Sequence, residues 1–128
     1  MKVFILFNEF DFGSEERTNA IIKAMPDIEF VKANSPDLKT EHFIDFANCC
    51  DLVHFNSYNI KSHLGSIVKI FTPFIYSVCF EKFPPYVFGV ASWATKTIVD
   101  CESIRTQIAG SILVKNNKAI RNIYNKCF

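Results

Sequence analysis

The chain has 128 residues, the size of one domain, and a folded chain of that length buries about two-thirds of the surface that its unfolded form exposes. Hydrophobic residues make up 49% of it and Phe occurs 14 times, a composition that excludes intrinsic disorder and supports a core without metal or disulfide. The formal charge is +1 with both signs mixed along the chain, which leaves no electrostatic footprint for a nucleic acid.

From end to end, short apolar runs alternate with segments of helical spacing, the pattern of βαβ units. The first run, Lys2 to Phe7, is too short for an export signal and leads into Glu9, Asp11, Glu15 and Glu16, the wrong charges for one. The spacing then predicts a helix from Ser14 to Met25, with Ser14 as N-cap, Glu15 and Glu16 in the first turn, and Ala20, Ile21 and Ala24 on one stripe. Pro26 ends it. A second strand is expected over Ile28 to Lys32 and a second helix over Lys39 to Cys49, where Phe43, Phe46, Ala47 and Cys50 recur at helical spacing. The third strand is Leu52 to Phe55, and Leu64, Ile67, Val68 and Phe71 predict a covering helix from Tyr58 to Phe71.

Phe74 to Val78 reads as the fourth strand. Pro84 and Pro85 exclude regular structure over Glu81 to Pro85, with a short helix following before Trp93. Thr97 to Val99, a helix over Glu102 to Ala109, and Ser111 to Val114 complete the alternation. The last segment, Asn117 to Cys127, is a helix with Ile120, Ile123, Tyr124 and Cys127 on one face, which docks either on its own sheet or on a second chain, as in a homodimer. Most strands are apolar on both faces, as in sheets covered by helices on each side. The expected class is α/β, a single domain over residues 1–128 with a three-layer, mostly parallel, twisted, Rossmann-like sheet.

No run approaches the roughly 20 apolar residues of a membrane span. The five cysteines, Cys49, Cys50, Cys79, Cys101 and Cys127, are odd in number and lack a CxxC spacing, so neither a disulfide framework nor a zinc knuckle is expected and a reducing, cytoplasmic setting fits. Abundant Ile, Lys, Asn and Phe are what A/T-rich codons produce, the usage of a virus, a phage or a low-GC bacterium.

In open α/β sheets ligands sit beyond the carboxyl ends of the strands. Asn56 and Ser57 follow the third strand, and Gly13 and Ser14 close the loop after the first, where backbone amides could receive a phosphate or a sugar hydroxyl. The Gly13–Ser14 turn reads equally well as the start of an ordinary capped helix. Cys79 and Glu81 follow the fourth strand, although a buried structural thiol and a solvated loop carboxylate are the plainer readings. His54, inside a strand, is expected to be a hydrogen-bonded core residue. Cys49, Cys50, Asp51, His54 and His63 crowd together in sequence, but a helix end and a strand aim them apart, so no metal site is expected, and no cofactor is called for.

Taken in order, five segments resemble the N-terminal, acceptor-side half of GT-B glycosyltransferases, in particular the large retaining family of sucrose synthase-like and mannosyltransferase-like enzymes (family 4-like). FGSEER (Phe12 to Arg17) is similar to that family's GG-x-ER turn, and DLVHFNS (Asp51 to Ser57) to its D-V-V-H-x-H-S strand. TPFIYSVC (Thr72 to Cys79) resembles x-P-V-V-x-T-x-H, TIVDCESIR (Thr97 to Arg105) resembles v-i-a-v-S-e-x-l-R, and ILVKNN (Ile112 to Asn117) resembles v-x-V-I-x-N-G. The chain departs from the pattern at Cys79, where the family often has a functional histidine, at Asn56 in place of a second histidine, and at Asn117 in place of a glycine. The resemblance implies an acceptor-binding domain, with a nucleotide-sugar held by a second domain across a cleft. On that basis Gly13, Ser14, Asn56, Ser57, Cys79 and Glu81 line the cleft, and the chain is a minimal or truncated glycosyltransferase-like domain, inactive alone and completed by a donor half elsewhere. The competing expectation is a non-catalytic module that binds a nucleotide, a sugar or a protein partner.

Overall fold

A computed structural model describes residues 1–127. Six strands, β1 (Lys2–Phe7), β2 (Glu29–Asn34), β3 (Leu52–Phe55), β4 (Phe74–Val78), β5 (Lys96–Val99) and β6 (Ile112–Leu113), form one sheet in the order β2-β1-β3-β4-β5-β6. Every neighbouring pair is parallel. The order reverses between β1 and β3, the topological switch of a doubly wound sheet.

Alternation along the strands sorts the core into two layers. Phe4, Leu6, Val53, Phe55, Tyr76 and Val99 face the side covered by α2 (Thr40–Asn48), α3 (Tyr86–Trp93) and α4 (Glu102–Gln107). Val3, Ile5, Leu52, Ile75 and Ile98 face α1 (Ser14–Ala24) and α5 (Asn117–Asn125). The result is the three-layer, Rossmann-like α/β architecture expected from the sequence. Among the described residues no helix is long and apolar enough to cross a membrane.

The expected helix over Tyr58 to Phe71 does not form. Two 3-10 turns, Lys61–His63 and Ile67–Lys69, stand in its place. The apolar stripe fails as a face: Ile67 is buried, while Val68 is 58% and Phe71 91% exposed. Three features favour the broken course. Asn59 and Ser57 take up backbone amides locally, Gly65 weakens helix propagation, and tertiary hydrogen bonds pin the segment at both ends of its first half. Those pins are the Tyr76 hydroxyl, which donates to the Tyr58 carbonyl at 2.5 Å, and His63 Nε2, which donates to the Ser35 carbonyl at 2.8 Å.

The start of α1 also differs from the expected Ser14 cap. Gly13 occupies the cap position at φ +80°, in the left-handed region that favours glycine, and Ser14 is the first helical residue with its hydroxyl committed elsewhere. At the other end of the chain, α5 buries Ile120, Ile123 and Tyr124 against its own sheet. Arg121 adds a bidentate pair to Asp27, at 2.9 and 2.7 Å, and those bonds hold the Asp27 carboxyl down at about 2. The apolar face of Asn117 to Asn125 is therefore consumed within the chain.

Candidate functional site

At the switch point the polar residues after β3 are tied to the loop after β1. Ser14 Oγ accepts from the Asn8 amide at 3.1 Å and donates to the Asn56 carbonyl at 2.8 Å. Asn56 Nδ2 donates to Thr18 Oγ1 at 2.9 Å, and Asn8 Nδ2 donates to the Asn59 carbonyl at 2.9 Å. Ser57 Oγ donates to Asp11 Oδ2 at 2.7 Å and accepts from the Asn59 amide at 3.0 Å. Asn8, Asp11, Ser14, Thr18, Asn56 and Ser57 are all buried, and burial without these bonds would cost each polar group its hydration. The polar ending of the third strand is thus explained first as a stitch between two loops.

The open space lies one strand further along. A cavity of about 190 Å³ sits beyond the carboxyl ends of β3 to β6, between α1 and α5. Ile21, Ile98, Val114 and Ile120 give it an apolar floor. Its polar wall is formed by Arg17, Asn56, Ser77, Cys79, Asp100, Lys115, Asn116 and Asn117, of which Asp100, Lys115 and Asn116 are exposed at the mouth. The Asn116 side chain also caps α5 by accepting from the Ala119 amide at 2.9 Å.

The structure distributes the six sequence-derived candidates over three places. Asn56 and Cys79 border the cavity. Gly13, Ser14 and Ser57 belong to the stitched loops beside it. Glu81 turns away: its Oε1 accepts from Ser103 Oγ at 2.9 Å, at the start of α4, and with Cys79, Phe80 and Lys82 it borders a separate shallow depression. Arg17, Ser77, Asp100, Lys115 and Asn116 were not singled out by the sequence reading. Asp100 and Lys115 lie just beyond β5 and β6, so the rule that selected Asn56 and Cys79 reaches them once those strands are placed. Ser77, inside β4, carries no sequence signal of this kind.

Two groups have the residue types of a nucleophile without its electrostatics. Burial pushes the Cys79 thiol up to about 12, which leaves almost no thiolate at neutral pH. Ser77 Oγ lies 2.6 Å from His54 Nε2, and His54 Nδ1 lies 2.6 Å from the Tyr124 hydroxyl, the spacing of nucleophile, base and orienting group. The orienting group is a neutral phenol, its pKa raised by burial, and burial holds the His54 imidazole at about 3. Nothing in that chain stabilises an imidazolium, so it is a satisfied buried network under the cavity floor. His63 is also a structural residue: it stacks on Phe43 with ring centroids 4.4 Å apart, and burial lowers its pKa. Among the described residues no three His, Cys, Asp or Glu side chains come together as metal ligands.

Arg17 is only partly satisfied. Its Nη1 donates to the Phe12 carbonyl at 3.2 Å, its Nη2 stands 3.6 Å from Asp11 Oδ2, and its buried Nε has no hydrogen-bond partner.

No family model matches the chain, and no curated protein matches it. Among solved structures the chain is similar to the Clostridium botulinum CMP N-glycosidase BcmB, with 14% identity and a TM-score of 0.47 over 98% of this chain and 99% of that one.

Proposed function

We propose that the chain is a binding module for a small, hydroxyl-bearing ring compound, a nucleoside, a nucleotide or a monosaccharide derivative, seated beyond the carboxyl ends of β3 to β6. The observation that carries this reading is the cavity itself, with an apolar floor and polar groups converging from four strands and two helices. Its volume of about 190 Å³ is that of roughly six waters at about 30 Å³ each. Drug-sized sites run to roughly 300–1,000 Å³. The cavity encloses about one ring, and the rest of a nucleoside or nucleotide would project through its open mouth. The apolar face of a furanose, pyranose or base would rest on Ile98 and Ile120, with its hydroxyl or amide edge toward Asn56, Ser77 and Asp100.

A transferase reading is favoured by one feature. The Asp100 carboxylate on the cavity wall can accept a hydrogen bond from an acceptor hydroxyl, as the resemblance to glycosyltransferase acceptor domains would require. The chain would then hold the acceptor while a donor phosphate is bound on a separate half. Neither Cys79 nor Ser77 is activated for covalent chemistry, so binding is the primary proposal.

The test is thermal unfolding of the purified chain with uridine, UMP, UDP-glucose, GDP-mannose, glucose, ribose and ribose 5-phosphate. A ligand present at ten times its Kd stabilises by about 1.4 kcal/mol, a shift of a few degrees for a chain of this size. At least one compound should raise Tm in the parent chain and lose that effect in Asp100→Ala. No response to any of them at 10 mM would count against the proposal.

A further inference from the structure

We infer that the compound bound in this cavity carries a phosphate-type anion and that Arg17 receives it. The inference rests on the proposed role of the cavity and adds the charge class of its ligand. A guanidinium has five N–H donors in a rigid planar fork, and Arg17 commits only one of them to a hydrogen bond, the 3.2 Å contact with the Phe12 carbonyl. Its contact with Asp11 is a loose ion pair at 3.6 Å, because Asp11 Oδ2 is already held by Ser57 at 2.7 Å. The unpaired Nε is closed to solvent, so the donors open to a ligand are the remaining N–H groups of Nη1 and Nη2, in a side chain that is one-third exposed.

The other charges on the cavity point the same way. Lys115 stands exposed at the mouth and forms no ion pair among the described residues. Arg17 and Lys115 against Asp100 give the lining two positive charges and one negative, a net of +1. Asp100 repels an anion and accepts from hydroxyl donors, while Arg17 attracts an anion. A ring with a phosphate at one end and hydroxyls at the other serves both charges, whereas a neutral sugar offers Arg17 only hydroxyl oxygens and no charge-assisted bond. Charge-assisted hydrogen bonds to a phosphate in a partly dry site are roughly twice as strong as neutral ones.

The experiment compares ribose with ribose 5-phosphate by NMR titration against the parent chain, Arg17→Gln, Arg17→Lys and Arg105→Gln. The parent should prefer the phosphate by about tenfold or more, a preference that weakens as salt is raised. The ratio should fall to about one in Arg17→Gln, take an intermediate value in Arg17→Lys, which keeps the charge and loses the fork, and hold in Arg105→Gln. Equal binding of the two sugars by the parent overturns the inference and leaves the cavity as a ligand site. Binding of neither overturns the inference, and the wider panel of compounds then decides the proposed role of the cavity. If Arg17→Gln gives a native-like amide spectrum and keeps the preference, Arg17 is a loop clamp only. Should that variant fail to fold, Arg17→Lys and the salt dependence decide, and a preference unaffected by either also overturns the inference.

Discussion

Lowering the pH from 7 to 5 should destabilise this chain chiefly through His54. The side chain is fully buried in the middle of the sheet, with both ring nitrogens at 2.6 Å from hydroxyls, Ser77 on one side and Tyr124 on the other. Protonation would place a charge where water cannot follow, and burial therefore holds the pKa at about 3 against an unfolded value of 6.5. Because the folded value is the lower one, the unfolded chain binds more protons at every pH between them. His54's contribution is complete above pH 6.5 and is lost as the pH falls toward 3. Integrated from pH 7 to pH 5, the loss is about 2 kcal/mol. Urea unfolding at pH 7, 6 and 5 reads it as a fall in midpoint at constant m. His63, whose pKa burial also lowers, acts in the same direction and leaves a smaller residual slope in His54→Gln. Asp27, held at about 2, acts only at lower pH. A parent chain equally stable at pH 7 and pH 5, or a His54→Gln variant with the full slope, would refute the account of this network.

Ser57→Ala should cost about 2 kcal/mol in urea unfolding, since it leaves Asp11 Oδ2 without its 2.7 Å donor and the Asn59 amide without its acceptor. A cost near zero would show that the stitch between the loops is replaceable by water. Gly13→Ala should cost about 1 kcal/mol for a left-handed φ of +80°. Its new Cβ would stand 3.0 Å from Arg17 Nη1, so the same variant should also reduce any preference for phosphorylated sugars, measured by the titration described above. With iodoacetamide at pH 8, mass spectrometry should find Cys49, which is exposed, modified well before Cys79, whose thiolate fraction at a pKa of about 12 is about one in ten thousand. Early modification of Cys79 would mean an activated thiol on the cavity wall.

The strands were legible because three of them, β1, β3 and β4, are mostly apolar runs, nearly all of whose residues are buried, and no competing pattern overlies them. Tyr58 to Phe71 was misread because a stripe at helical spacing arises there without a face to bury it. What breaks the helix is partly nonlocal, since the Ser35 carbonyl and the Tyr76 hydroxyl that hold the segment lie far from it in sequence. At the site, the carboxyl-end rule led to Asn56 and Cys79 on the cavity. It could not foresee that Ser14 and Ser57 would spend their hydroxyls on each other's loops, or that Glu81 would be drawn to Ser103. Arg17 escaped because a cation one turn into a helix ordinarily faces solvent, and only the docking of α5 beside α1 turns that position into a cavity wall.

The most direct test is an amide-resolved NMR titration of the chain with UMP and with ribose 5-phosphate. The account predicts shifts concentrated at Asn56, Ser77, Cys79, Asp100, Asn116 and Asn117, with little change around Val68, Phe71 and Trp93. Shifts centred on those three positions, or none at millimolar ligand, would contradict it.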